Sequence, residues 1–191
     1  MSLVGFKRMT IRILNDDAPT MDNNLFVVEG TENKGATRKA NITGLSSEPT
    51  KSYGSDIAYF VSNKGVGDVS VDISAIDLPA SMLDKILGYT KKDGVTYIGE
   101  NTQAPYCSVL LESTTPQGDT ALFGLFKGQF STDSVEMETK EEKQKELQEE
   151  SLKFTAITAD SGEAKGQCVG KYVGKDDQII TKLKQQLKIT A

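Results

Sequence analysis

The chain has 191 residues, with 37% hydrophobic and 26% charged, which suits one globular domain with a real core and is cramped for two. Its net charge of −5 and pI near 4.9 argue against a protein that grips a phosphate backbone, because that affinity rests on Lys and Arg. Histidine is absent, which removes Ser-His-Asp and Cys-His nucleophile activation, imidazole metal sites and the usual general base near neutral pH.

Residues 5–14, GFKRMTIRIL, open with a strand pattern: Met9, Ile11 and Ile13 alternate with Thr10 and Arg12, as on a half-buried strand. Residues 15–24, NDDAPTMDNN, are a loop by composition, 25–29 a short strand and 30–35 a turn. Residues 36–62 carry Gly44, Ser46, Ser47 and Pro49 between two weakly hydrophobic, β-prone stretches. That pattern predicts a long hairpin with its turn at 44–49, either a solvated surface hairpin or an arm that adds a strand to a neighbouring subunit.

Residues 66–76, VGDVSVDISAI, form the cleanest strand, with Val66, Val69, Val71, Ile73 and Ala75 on one face. A short helix follows at about 79–87, with Pro79 at its first position, Gly88 at its left-handed stop, and a core stripe of Met82, Leu83, Ile86 and Leu87. Residues 89–103 are loop, with a turn signal at Asp93-Gly94. Residues 106–112 and 121–130 are apolar enough for central strands, and the polar turn 113–120 makes them a hairpin. Val135 and Met137 continue as extended chain.

Residues 138–150, ETKEEKQKELQEE, have helix propensity but one apolar residue, Leu147, and are expected to be an exposed acidic loop. Leu152, Phe154, Ala156 and Thr158 mark another alternating strand. Gly162, Gly166, Gly170 and Gly174 recur every four residues among polar neighbours, and the stretch 167–173 reads as a strand with that period incidental. A C-terminal helix at about 177–188 carries Ile179, Ile180, Leu183 and Leu187 on one stripe, behind an acidic start at Asp176-Asp177. The fold class is therefore mainly β with helices: a β-sandwich or partly closed antiparallel barrel with helices packed on it.

No motif carries chemistry. There is no phosphate loop, no G-x-G-x-x-G and no zinc pattern. Asp16-Asp17 and Asp176-Asp177 are paired acids with ordinary uses in a turn and at a helix start. Cys107 and Cys168 are expected as reduced buried thiols rather than a disulfide framework. No stretch is apolar and long enough to cross a membrane, and residues 1–15 lack the apolar run of a secretory signal. No catalytic, cofactor-binding or metal residue is assigned.

Several segments in order resemble one family. VGDVSVDISAIDLPASMLDKILGY (66–89) is similar to the strand, Leu-Pro and short helix of the major tail proteins of long non-contractile-tailed bacteriophages and prophages. So are VGFKRMTIRIL (4–14), APYCSVLLES (104–113), ALFGLFKGQFSTDSVEMETK (121–140) and SLKFTAI (151–157). The resemblance implies a single tail-tube domain over 1–191 that catalyses nothing. It implies hexameric rings that stack around the tape measure protein, contacts with tail-tip and terminator proteins, and DNA only in transit through the lumen. It places the protein in the virion tail, made in the bacterial host cytoplasm, with no membrane partner and no cofactor. Two alternatives are a monomeric β-sandwich binding module, which needs a cluster of exposed aromatics on one face, and a carboxylate-dependent hydrolase, which needs two acids facing each other in a cleft.

Overall fold

A computed structural model of the chain describes residues 2–135, 137, 139 and 147–190. Its largest element is an eight-stranded sheet in the order β2 (Leu25–Val28), β1 (Val4–Ile13), β9 (Cys107–Thr114), β10 (Thr120–Ser131), β11 (Glu150–Ile157), β6 (Ser70–Ile76) and β3 (Ala36–Thr43), with β12 (Val169–Gly174) also paired to β10. Every pairing is antiparallel. The sheet curls until β3, hydrogen-bonded only to β6, meets the first half of β1, where Thr37 Oγ1 donates to the Phe6 carbonyl at 2.6 Å. The result is a partly closed antiparallel barrel with one open seam.

Strand periodicity fills the inside. Met9 and Ile11 of β1, Val71, Ile73 and Ala75 of β6, Val109 and Leu111 of β9, and Leu152 and Phe154 of β11 are all buried in one cluster. The inward parity of β10 changes along its length: Leu125 faces this cluster, Phe126 faces away, and Phe130 faces in again. The cause is an extra residue between Leu125, opposite Val109, and Gly128, opposite Cys107. That bulge lets the first half of β10 pair with β12 and the second half with β11.

Helix α1 (Ala80–Ile86) closes one side of the core with Met82 and Ile86. Pro79 is its N-cap, extended at ψ 126°, so the helix starts one residue later than the proline rule places it. Gly88 ends it at φ 72°, where any Cβ would lie 2.0 Å from the Gln103 carbonyl oxygen. Beside its start, the Glu150 Oε2 is buried with no hydrogen-bond partner among the described residues. Burial and the Asp77 charge raise the Glu150 pKa, against a backbone hydrogen bond from Leu78.

Helix α2 (Asp177–Gln186) packs on the outer face. Asp176 caps it, accepting from Gln178 N at 2.9 Å. Leu183 and Leu187 settle over Gly124 and Gly170, which face each other in the β10–β12 register. A Cβ on Gly124 would lie 2.8 Å from Leu187 Cδ1, and one on Gly170 would lie 2.8 Å from Phe126 Cζ. The two glycines form a hollow in the sheet that the leucines fill, so Gly170 has a packing role that its four-residue period conceals. Ile179, at the margin of the stripe, stays exposed.

The same helix corrects the reading of β1. Thr10 and Arg12 were expected on a solvent face, yet Arg12 is 2% exposed because α2 and the 15–24 loop cover it. Its Nε donates to the Lys188 carbonyl at 3.1 Å, Nη1 to the Ile13 carbonyl at 2.7 Å and the Asn24 carbonyl at 3.2 Å, and Nη2 to the Asp17 carbonyl at 2.5 Å. Next to it in register, Ser108 Oγ donates to the Leu187 carbonyl at 2.5 Å. Burial pulls the Arg12 pKa below its ordinary value, opposed by the Asp17 charge.

The expected arm divides in two. Residues 36–43 are β3 of the main sheet, because Ala40 and Ile42 pack against the core. The hairpin is β4 (Thr50–Gly54) with β5 (Ile57–Ser62), and its turn is at Ser55 and Asp56, φ 51° and 62°, rather than at 44–49. Gly44 (φ 73°) instead sits tight against the Asp68 carbonyl. The 89–103 loop holds a second small hairpin, β7 (Thr90–Lys92) and β8 (Val95–Tyr97), turned at Asp93-Gly94. Val66 lies before β6 and is exposed, as are Val135 and Met137, which belong to no element. Most of the expected acidic loop at 138–150 falls outside the described residues; Leu147, Gln148 and Glu149 are exposed, and Glu150 begins β11.

Replacing Arg12 by Ala takes the guanidinium donor from the Asp17 and Lys188 carbonyls, leaves Ile13 and Asn24 with their backbone donors alone, and empties a buried site; thermal or urea unfolding should show a loss of about 3 kcal/mol. Glu150→Gln tests the opposite sign. A carboxyl whose folded pKa is raised stabilises the fold fully only below its unfolded value, and that contribution fades as pH rises through the folded pKa. The variant should therefore be more stable than the parent at neutral pH, with the difference shrinking toward about pH 4 as the parent carboxyl takes up its proton.

Candidate assembly surfaces

The β4–β5 hairpin stands apart from the barrel as its own two-stranded sheet. Its register places Lys51 with Val61 and Tyr53 with Ala58 on one face, and Ser52 with Phe60 and Gly54 with Ile57 on the other. A slip between Ser52 and Tyr53 inserts Tyr59 as an extra residue. Tyr59 is 83% exposed, Tyr53 71% and Phe60 58%, and Ile57 and Val61 are also exposed. Both faces are thus apolar and wet. A lone hairpin is marginal in water, and an exposed apolar ribbon normally marks an interaction site.

Three larger depressions accompany it, beside a smaller hollow of about 360 Å³ among Asp72, Ser131, Asp133 and Lys153. The seam between β1 and β3 widens into a groove of about 440 Å³, floored by Phe6, Ala40, Ile42, Leu111 and Phe123, with Leu45 at one end. Arg38, Lys39 and Glu112 stand at its rim. Arg38 reaches Glu149 at 3.1 Å, and Glu112 is held by Lys7 at 3.6 Å and Arg8 at 3.9 Å. A second groove, about 520 Å³, runs beside α1 between Leu83, Leu87, Tyr89, Ile98 and Val135. Its rim is acidic: Asp84, Glu149 and Glu150. The third, about 790 Å³, is a polar trough between α2 and the 161–163 turn, crossed by the Lys182–Glu163 ion pair at 2.8 Å. There Lys182 and Gln186 hold the Glu163 carboxyl below its ordinary pKa.

Among the described residues, one face of the sheet carries no helix. Outward positions of β3, β6, β11 and the end of β10 line up in register as Thr43, Ser70, Thr155 and Gln129, and as Asn41, Asp72, Lys153 and Ser131. Thr43 and Ser70 hydroxyls meet at 3.0 Å. The face is rich in hydroxyl and amide groups, and Asp72 opposes Lys153. At its margin Lys127 pairs with Asp160 at 2.6 Å, which lowers the Asp160 pKa, and lies 4.5 Å from the Tyr106 ring centroid.

The groups that could carry chemistry have structural employment. Asp176 caps α2, and the Asp17 carboxylate accepts from Asn15 Nδ2 at 2.9 Å. In the α1 groove, Asp84 accepts from Thr96 Oγ1 at 2.9 Å and Glu149 from Arg38 Nε at 3.1 Å, so Glu150 is the acid of that cleft with an oxygen unengaged. Cys107 and Cys168 are unbridged; burial pushes the Cys107 thiol up to about 12, far from a reactive thiolate, and raises Cys168. Among the described residues no three of His, Cys, Asp and Glu cluster to hold a metal ion, and no helix is long and apolar enough to cross a membrane. Exposed aromatics do occur, as a binding module would require, but Tyr53, Tyr59 and Phe60 lie on the β4–β5 hairpin while Tyr97 is on β8 and Tyr106 precedes β9, so they do not share one sheet face. Sequence reading located the arm region yet missed both grooves, which arise from strands far apart in the chain.

No curated protein matches the chain. A family model described as phage tail tube protein matches residues 1–183 of the 191. With a mostly antiparallel β fold, two helices and outward-facing apolar surfaces, the chain belongs to the phage tail tube protein family, a structural component of the virion tail.

Proposed function

We propose that the whole chain works as one tail-tube domain, that its copies close into hexameric rings, and that the rings stack around the tape measure protein into a conduit for DNA. It then meets tail-tip and terminator proteins at the tube's ends and catalyses no reaction. The observation that carries the assembly reading is the two-faced apolar arm, residues 50–62, which has little to cover it in a single copy. Pairing with a neighbour would bury Tyr53, Ile57, Tyr59, Phe60 and Val61, each worth up to about 1.5–3 kcal/mol when fully buried.

The helix-free sheet face suits the lumen. Its side chains are mostly serine, threonine, asparagine and glutamine, and Lys153 stands opposite Asp72, so a passing phosphate backbone meets a lysine set beside an acid rather than a cationic stripe. The net charge of −5 then adds a weak long-range repulsion rather than a local one. Contacts of this kind are heterologous, one surface of each subunit against a different surface of the next. Such contacts give a ring if the rotation closes and a filament if it does not.

Replacing residues 50–62 by a short Gly-Ser linker should leave a folded monomer, with stability within about 0.5 kcal/mol of the parent, because the segment contributes nothing to the core. Electron microscopy and light scattering at high concentration, with tail formation in the host as a second readout, should show no tubes. Normal tubes from this variant would remove the arm from the assembly mechanism.

A further inference from the structure

The arm and the seam groove complement each other in form, polarity and charge. Six residues of β5, at about 3.4 Å each, reach about 20 Å. The groove follows β3 from Arg38 to Leu45, a stretch of similar length. Strand β5 is paired on one edge, to β4, and β3 on one edge, to β6; the other edge of β3 closes on β1 at Thr37 and Phe6 and carries no ladder beyond it, so each strand offers an edge for strand addition. None of the residues lining the groove lies in 50–62, so the arm does not fill the groove of its own chain.

Charge selects among the three larger depressions. The arm's tip carries Asp56. The α1 groove has an acidic rim that would repel it, and the α2 trough lacks an apolar floor. The seam groove has an apolar floor and Lys39 exposed at its rim, where the acid Glu112 is already held by Lys7 and Arg8. Like charges placed together suppress a wrong partner, and opposite charges fix the register of a right one.

We propose that the β4–β5 arm of one copy seats in the β1–β3 seam groove of a second copy, with Ile57 and Phe60 over Phe6 and Ile42 and with Asp56 at Lys39. This rests on the reading of the chain as a self-assembling tube subunit. Each copy then completes its neighbour's open barrel while its own seam is completed by a third, which makes the contact directional.

Cross-linking between two singly substituted full-length proteins tests it, in a Cys168→Ser background that leaves the buried Cys107 in place. Ser55→Cys at the arm's tip is mixed at high concentration with Ala40→Cys in the seam groove, or with Ile98→Cys in the α1 groove, and oxidised. The heterodimer with Ala40→Cys should be at least about tenfold more abundant than that with Ile98→Cys. Adding Asp56→Lys to the first partner should abolish this preference, and adding Lys39→Glu to the second should restore it. Equal yields, a preference for Ile98→Cys, or indifference to both charge changes overturns the proposal. So does an absence of cross-links when deletion of 50–62 still blocks tube formation, an outcome that leaves the arm's role standing and removes only its groove.

Discussion

The guanidinium of Arg12 lies between the end of β1 and the last turn of α2, and the outer layer of the molecule is arranged around it. A buried cation is costly unless its donors are satisfied. Here the partners are the carbonyls of Ile13, Asp17, Asn24 and Lys188, with the Asn15 side chain, so one side chain gathers β1, the loop after it and the C-terminal helix. Just past the helix end, the Lys188 carbonyl accepts from Arg12 Nε, near the negative dipole end of α2. Ser108, one strand over, takes the carbonyl next to it. With that end pinned, Leu183 and Leu187 can fall only where the sheet is thin, over Gly124 and Gly170.

Covering one part of the outer face leaves another part bare. The bulge after Leu125 divides β10 between two neighbours: β12, under α2, and β11, which leads to β6 and β3 with no helix above them among the described residues. The barrel therefore has a helix-covered half that is finished in the single chain. Its other half ends in a polar face, an open seam and a wet hairpin. A sheet edge left free is a liability in a monomer, since it templates pairing with another chain. In a subunit destined for a polymer the same edge is a connector, and the closed half supplies the rigid body that carries it.

The elements legible in the sequence are those whose pattern is local. Alternation located the strands around Val71 and Phe154, an apolar run the one around Val109, Gly88 marked the end of α1, and Asp176 marked the start of α2. What escaped depends on partners far away in the chain. Arg12 alternates like a solvent residue and is buried by residues more than 170 positions later. Gly170 looks like one beat of a period until Gly124 stands opposite it. Residues 36–43 look as weakly hydrophobic as 50–62, and only the pairing of Ala40 with Ile73 and Ile42 with Val71 draws them into the barrel. The turn lies at 55–56 for a local reason: Ser55 and Asp56 both adopt the left-handed conformation that a tight hairpin needs, while Gly44 sits in a close crossing against Asp68.

These placements bear on how an acidic subunit can polymerise without repelling itself. At a net charge of −5, copies brought together at random meet like charge, which slows wrong encounters. The surfaces argued to meet are local exceptions: an apolar arm with one acid at its tip, and an apolar groove with Lys39 at its rim. Apolar burial supplies the affinity, which is non-directional and insensitive to salt. A single exposed ion pair contributes little energy, about 0–1 kcal/mol, but separates the seam groove from its acidic counterpart beside α1. The division of labour has a kinetic consequence. Raising salt should screen the general repulsion, within a Debye length of about 10 Å at 0.1 M, more than it weakens the apolar contact, so a subunit built this way associates faster as ionic strength rises.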